Sequence, residues 1–486
     1  MASLALIGWP IVAIVLFSKL AFRNALIWSM LLAHLFLPEG VNFNFPGVPS
    51  LDKISIPALS ALLCVVIFGA GAAKSRHDET RVDRGGIFRA LIWVLGAGLL
   101  IAPLMTVLTN PEPIFPGGRF LPGLRLWDVV NIVFANAMLI TPYFLARRYL
   151  HTPEAHRMLI KALLIAGLGY SLLALIEVRL SPQLNMWIYG YYQHSFVQHI
   201  RAGGFRPMVF LSHGLTVGFF LFTVILAAAA LYKGSKPEGD RRYLLAGLWM
   251  TGVILVSQNL GATSLAFVFA PVILFLGSRW QVRIAAIVAI VFLAYPAVRQ
   301  ADLAPTDRIT SMTAAISQDR ANSFQFRLDN EDILLEKAQE KPLFGWGGWG
   351  RARVYNETGH DISVTDGIWI IILGDYGWVG YIAFFGFLTF PVIALWRLSK
   401  HRDIPYETAG MAVIMAGNFM YMIPNSTLTP IGWMTAGALA GYVQFAPARS
   451  GAAQTAAPEP EPRRSRYSRF GDRTSGPRFA RQSRSI

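Results

Sequence analysis

"GIWIIILGDYGWVGYIAFFGFLTFPVIALW", Gly367–Trp396, is an apolar run of 30 residues interrupted by one charge, Asp375. About 20 apolar residues cross a bilayer as a helix. A backbone in hydrocarbon must satisfy its own hydrogen bonds, which a single segment does only as a helix. The run therefore predicts a membrane-spanning helix, with Asp375 turned to the protein interior or a wet cavity, since a charge facing lipid is costly. Comparable runs recur along the chain. Of its 486 residues 54% are hydrophobic and only 15% charged, with mean hydropathy +0.45, whereas soluble chains are about a quarter charged. The expected fold class is an all-α polytopic membrane protein of about 12–13 transmembrane helices. The spans fall near 4–18, 24–37, 56–73, 89–108, 127–146, 158–178, 208–232, 243–257, 263–278, 284–298, 367–396, 407–424 and 430–446. The first two are short enough to form one hairpin.

Charge placement orders these spans. The net charge is +15, and basic connectors recur: "AKSRHDETRVDRGGIFR" (73–89), "ARRYLHTPEAHR" (146–157), "KGSKPEGDRR" (233–242), "SRWQVR" (278–283) and "RLSKHR" (397–402). By the positive-inside rule these face the cytoplasm. The loops expected outside are then 38–55, 109–126, 179–207 and 299–366. Residues 1–446 read as one transmembrane helical domain, and 447–486, rich in Pro, Ser and Arg, as a disordered basic cytoplasmic tail. Such a tail suits anionic membrane lipid; nothing folded accompanies the charge, so nucleic acid is not expected as a partner. The N-terminal run has no preceding Lys or Arg and no small-residue cleavage site, which predicts a retained segment. The single cysteine, Cys64, excludes an intramolecular disulfide and a cysteine-cluster metal site.

Two of the outward loops are long enough to build a site. In 179–207, Arg201 and Arg206 bracket a Gly-Gly-Phe just ahead of a span. Desolvating an arginine at the bilayer centre costs about 2.5–3.5 kcal/mol. At the mouth of a span the cost is lower, and the guanidinium fork suits a phosphate group. The alternative is an interfacial anchor, alongside Trp187, Tyr189, Tyr191 and Tyr192. His213 reads as a helix-facing histidine, and Glu177 as a local ion pair with Arg179. In 299–366, "FQFRLDNEDILLEKAQEKPLFG" (324–345) predicts a short surface helix, with Arg327 at its start and acids leading lysines. Pro342 stops it near Lys341. "PLFGWGGWG" (342–350) then turns sharply, its glycines permitting close backbone approach. Trp346 and Trp349 suit the interface and offer faces for sugar rings. Arg351 and Arg353 read as surface or headgroup contacts, followed by His360, Asp361 and Asp366. Asp366 stands where an aspartate commonly caps a helix.

These loop residues carry a resemblance. Arg327, then Pro342-Leu343-Phe344-Gly345-Trp346-Gly347, then Asp366 running into "GIWIIILGDYGWVGY" is similar to the O-antigen ligase and polysaccharide polymerase superfamily of bacterial inner membranes. "RAGGFRPMVFLSHGLTVG" (201–218) resembles that superfamily's earlier outward-loop motif. The likeness covers most of residues 30–445, with its sharp motifs confined to two loops.

The resemblance implies a metal-independent, cofactor-free glycosyltransferase that inverts the anomeric configuration. Its donor would be a glycan on undecaprenyl diphosphate, at the periplasmic face of the inner membrane, with polysaccharide export proteins as further partners. Arg201, Arg206 and Arg327 become diphosphate-binding residues, Trp346, Trp349 and Arg353 glycan contacts, and Asp366 or His360 the catalytic base. The superfamily's ligases often place a histidine where this chain has Thr365-Asp366, which tilts the reading toward polymerisation of repeat units, with ligation to lipid A core as the alternative. No glycine stands eleven residues after Arg201, Arg206 or Arg327, a spacing expected of some polymerases. A lipid-linked oligosaccharide transporter is a further alternative. Against it stand the lack of internal repeats and the gathering of polar residues in two loops.

Overall fold

The computed structural model describes residues 1–74, 86–201, 204–235, 240–304, 306, 310–311, 314–315 and 318–445. The disorder expected of the basic tail lies outside the described residues. Thirteen apolar helices occupy the thirteen expected segments. They are α1 (Ala2–Lys19), α2 (Phe22–Phe36), α3 (Ser55–Lys74), α4 (Gly86–Leu108), α5 (Leu126–Tyr149), α6 (Pro153–Leu180), α8 (Gly214–Gly234), α9 (Arg241–Val256), α10 (Leu260–Phe275), α11 (Ser278–Gln300), α13 (Ile368–Ser399), α14 (Tyr406–Met422) and α15 (Pro430–Phe445). The long loops carry α7 (Leu184–Tyr189) and α12 (Gln318–Gln339). Among the described residues seven, namely α1, α4, α5, α6, α8, α11 and α13, are by length and composition long and apolar enough to cross a membrane. The protein is an all-α, multi-pass membrane protein.

Burial separates the centre of the bundle from its rim. Every residue of α8 from Thr216 to Leu231 is buried, and α14 and α15 are buried along nearly their whole length. The rim helices instead expose apolar side chains, such as Leu4, Ile7 and Ile11 on α1 and Trp93, Val94 and Leu100 on α4, the surface a helix presents to lipid. At one end the expected outward loops meet. Tyr191 donates to the Glu39 carbonyl, buried Lys53 to Glu39 and to the Phe210 carbonyl, both at 3.0 Å. Two of the basic connectors are likewise tied to the segment that enters α14, through Arg157–Glu407 at 2.8 Å and Arg279–Asp403 at 3.0 Å.

The opening stretch of sequence is not one continuous helix. α13 breaks at Gly377, whose φ of 62° and ψ of −167° lie in a region essentially restricted to glycine. The backbone of the 342–347 turn fills the break. Trp346 and Gly347 donate to the Gly374 and Asp375 carbonyls at 2.8 and 2.9 Å, and the Pro342 and Leu343 carbonyls accept from Trp378 and Val379 at 2.8 and 3.2 Å. All four groups at the break are thus satisfied, as burial requires. A Cβ on Gly345 would lie 2.5 Å from the Asp375 carbonyl carbon, and one on Gly377 2.3 Å from that of Leu343. These glycines admit another stretch of backbone, the close approach expected of them.

α12 also departs from expectation. It spans Gln318–Gln339, so Arg327 sits near its middle rather than at its start. The polar stretch ahead of Arg327 holds nothing that stops a helix, and Gln318–Asn322 and Gln325–Asp329 bonds support successive turns. Its inner face is anchored to α11: Arg299 pairs with Glu331 at 3.7 Å and with Asp332, and Tyr295 donates to Glu331 at 3.1 Å. Burial, opposed by Arg299 and Tyr295, pushes the Glu331 carboxyl up to about 7 from an ordinary 4.5. The folded state therefore holds this proton more tightly than the unfolded chain. The resulting stability is full below about pH 4.5 and is lost as pH rises through about 7. A shift of this size is worth about 3 kcal/mol. The melting temperature of detergent-solubilised protein should fall between pH 5 and 8, and Glu331→Gln should flatten that slope; an unchanged slope in the variant would remove Glu331 as its cause.

Candidate functional site

Arg206 is placed by the loop between α6 and α8. β1 (Ile200–Arg201) and β2 (Gly204–Phe205) form a small antiparallel hairpin, and the Arg206 N–H donates to the His199 carbonyl at 2.9 Å. Just beyond it, buried Glu177 accepts from the backbone N–H groups of Leu184, Met208 and Val209 at 2.9, 2.8 and 2.7 Å. This replaces the expected ion pair with Arg179: the carboxylate organises the loop, because three convergent amides stabilise it better than one exposed guanidinium. Room for Arg206 comes from Gly214, where a Cβ would lie 2.5 Å from its Cγ and Cδ. Its Nη2 donates to the Gln258 carbonyl at 3.4 Å.

Arg327 stands near the middle of the second loop and Asp366 at its end. One turn after Arg327, Asn330 accepts from the Val364 N–H at 2.7 Å, so α12 carries the arginine and pins the segment that delivers Thr365 and Asp366. Arg327 Nε lies 3.3 Å from Asp366 Oδ2, and its Nη1 donates to the Pro424 carbonyl at 3.3 Å. Asp366 makes no capping bond; Gly367 takes the cap position of α13 without a side-chain bond, and the Ile368 N–H is met by the Asn425 carbonyl at 3.3 Å. The carboxylate is turned instead toward the arginine.

Arg206, Arg327 and Asp366 line one open cavity of about 650 Å³. Its wall also includes His194, His213, Thr216 and the 424–427 turn. Two guanidinium groups and one carboxylate facing a wet, open space can bind an anion with charge-assisted bonds and accept a proton beside it.

The remaining expected residues lie elsewhere. The Arg201 side chain is outside the described residues; its backbone pairs with Gly204. His360 does not line the cavity: it is exposed, its Nδ1 2.9 Å from Thr358 Oγ1 on a turn tied by Asn356. Arg353 pairs with Asp361 at 2.6 Å. Burial alone would raise the Asp361 carboxyl, but the bonds from Arg353 and Ser363 outweigh it and hold it below its usual range. Trp346 has Lys337 and Lys341 ammonium groups 3.8 and 4.4 Å from its ring centroid and donates to the Lys337 carbonyl, so its face is taken. Trp349 is exposed but away from the cavity.

Arg351, expected at the surface, is only 2% exposed. It donates to the carbonyls of Trp346, Glu112 and Pro122 at 3.2, 3.1 and 2.9 Å and locks the 109–126 loop onto the 342–351 turn. Arg351→Ala would leave these acceptors unpaired beside a void. A loss of about 3 kcal/mol should follow, read as a lowered melting temperature; an unchanged value would mean water replaces the guanidinium without cost.

Sequence reasoning missed His213 and the 424–427 turn. The signal for the turn was available: "PNSTLTP" (424–430) lies between two spans, and alternation from the 397–402 connector, expected on the opposite side, places it beside the 299–366 loop. Among the described residues, His194, His199 and His213 bring possible metal-ligand atoms within 4.8 Å of one another. They fit a metal poorly. His199 Nδ1 donates to the Ser195 carbonyl and its Nε2 accepts from the Gly214 N–H at 3.1 Å, while His213 Nδ1 accepts from the Leu215 N–H at 2.9 Å. No protein-family model and no curated protein matches this chain.

Proposed function

We propose that the protein is a glycosyltransferase that polymerises glycan repeat units carried on undecaprenyl diphosphate, at the periplasmic face of a bacterial inner membrane. The observation that carries this reading is the convergence of Arg206, Arg327 and Asp366, from sequence positions far apart, on one cavity of about 650 Å³. The acceptor hydroxyl attacks the anomeric carbon of the donor while its proton passes to Asp366. The bond from that carbon to the diphosphate oxygen breaks, and its electron pair leaves on the diphosphate. Arg206 and Arg327 stabilise the charge that develops there, a task preorganised cations perform well. Attack opposite the leaving group inverts the anomeric centre. Asp366 is the base of this scheme rather than His360, since it alone of the two lines the cavity.

Deleting the protein in its host and analysing carrier-linked and surface glycan tests the reading. Accumulated single repeat units with loss of long chains support a polymerase. Full-length polymer retained on the carrier would assign a ligase, and unchanged glycan would overturn both.

A further inference from the structure

The geometry points to His213 as a third anion-binding residue of the cavity, a hydrogen-bond donor to the diphosphate beside Arg206 and Arg327; this deepens the transferase reading and rests on it. His213 is the N-cap of α8. Its Nδ1 accepts from the Leu215 N–H at 2.9 Å. A backbone amide only donates, so Nδ1 is unprotonated, and the neutral ring carries its hydrogen on Nε2. His213 therefore meets a polar ligand as a donor and does not serve as a base through Nδ1.

Capping alone does not call for this residue. Asn, Asp and Ser are the preferred N-caps, and an imidazole adds a second, more distant nitrogen that they lack. His213 lines the same cavity as Arg206, Arg327, Leu215 and Thr216. The first turn of α8 thus contributes its positive dipole end to the same space. The rings of His194 and His199 lie with centroids 4.5 and 4.6 Å from that of His213 and hold it in place. His199 in turn binds the Gly214 N–H at 3.1 Å, which fixes the start of α8 and so the orientation of its cap.

A divalent metal on the three histidines is the competing reading. Ligation through His213 Nε2 would move the ring proton to Nδ1, against the Leu215 N–H. Ligation through His199 Nε2 would displace the Gly214 N–H.

The test uses His213→Asn, which keeps an N-cap acceptor and removes the ring donor. Inorganic pyrophosphate binding to the full-length protein in detergent is measured at pH 7 by calorimetry, with Arg327→Ala alongside. The expected result is wild-type thermal stability for His213→Asn with pyrophosphate affinity reduced about tenfold. Wild-type affinity in His213→Asn with weakened binding in Arg327→Ala would overturn the role of His213 and leave the transferase reading standing. No pyrophosphate binding by the wild type would overturn both. Stoichiometric zinc binding that His213→Asn abolishes would replace the donor role by a metal site. If His213→Asn is unstable, His213→Gln decides by the same affinity criterion.

Discussion

Gly377→Val should leave almost no folded protein. The substitution puts a branched side chain at φ 62°, ψ −167°, a region that L residues avoid at a cost of about 1–3 kcal/mol. The new Cβ would also lie 2.3 Å from the Leu343 carbonyl carbon and 2.5 Å from the Phe344 nitrogen. Both are backbone atoms that cannot rotate aside. Moving the turn breaks the four backbone bonds between 342–347 and 374–379 and leaves buried polar groups unpaired, at about 1–3 kcal/mol each. The sum lies above about 4 kcal/mol, the range of exceptional single substitutions. Fluorescence-detected size exclusion of the detergent extract reads it directly: loss of the monodisperse peak is expected. Gly348→Ala serves as the control, because a Cβ there meets nothing within 4 Å. A normal peak for Gly377→Val would mean that the break in α13 is not held by the turn.

On the proposed transferase reading, Arg327→Ala should lower turnover sharply while leaving the bundle intact. The arginine is about one-third exposed and bonds to Asp366 and the Pro424 carbonyl, so its removal should cost little stability. Loss of one preorganised donor to a developing oxyanion typically lowers the rate about 10²–10³-fold. Arg327→Lys should recover only part of this, since an ammonium offers no planar fork. Asp366→Asn should lose comparable activity through loss of the proton acceptor. The assay is chain extension of a carrier-linked repeat unit by purified protein, separated on a gel. Wild-type product lengths from Arg327→Ala would remove it from the transfer step.

The thirteen apolar helices were readable because each must satisfy its backbone within its own segment, so composition alone sets position and length. The loops obey a different logic. Arg327 and Asp366 stand 39 residues apart, and nothing local says that Asn330 ties the segment before Asp366 to the helix that carries Arg327. The glycines of "PLFGWG" signalled a close approach, but not whether the approaching atoms belong to a sugar or to α13. Glu177 was misread for a similar reason. An acidic residue two positions from an arginine suggests a pair, while the amides of Met208 and Val209 that claim it are over thirty residues away.

The break in α13 has a consequence for biogenesis. Residues 342–347 leave the ribosome before 374–379, so the donors and acceptors that fill the break already exist when the interrupted span emerges. The apolar segment need not enter the bilayer as a straight rod and be bent afterwards. Its exposed amides find partners in chain that has just been made, which favours insertion of the loop and the span as one unit. Separating them, by expressing 1–366 and 367–486 as two polypeptides, would leave the incoming span with polar backbone and no partner at hand.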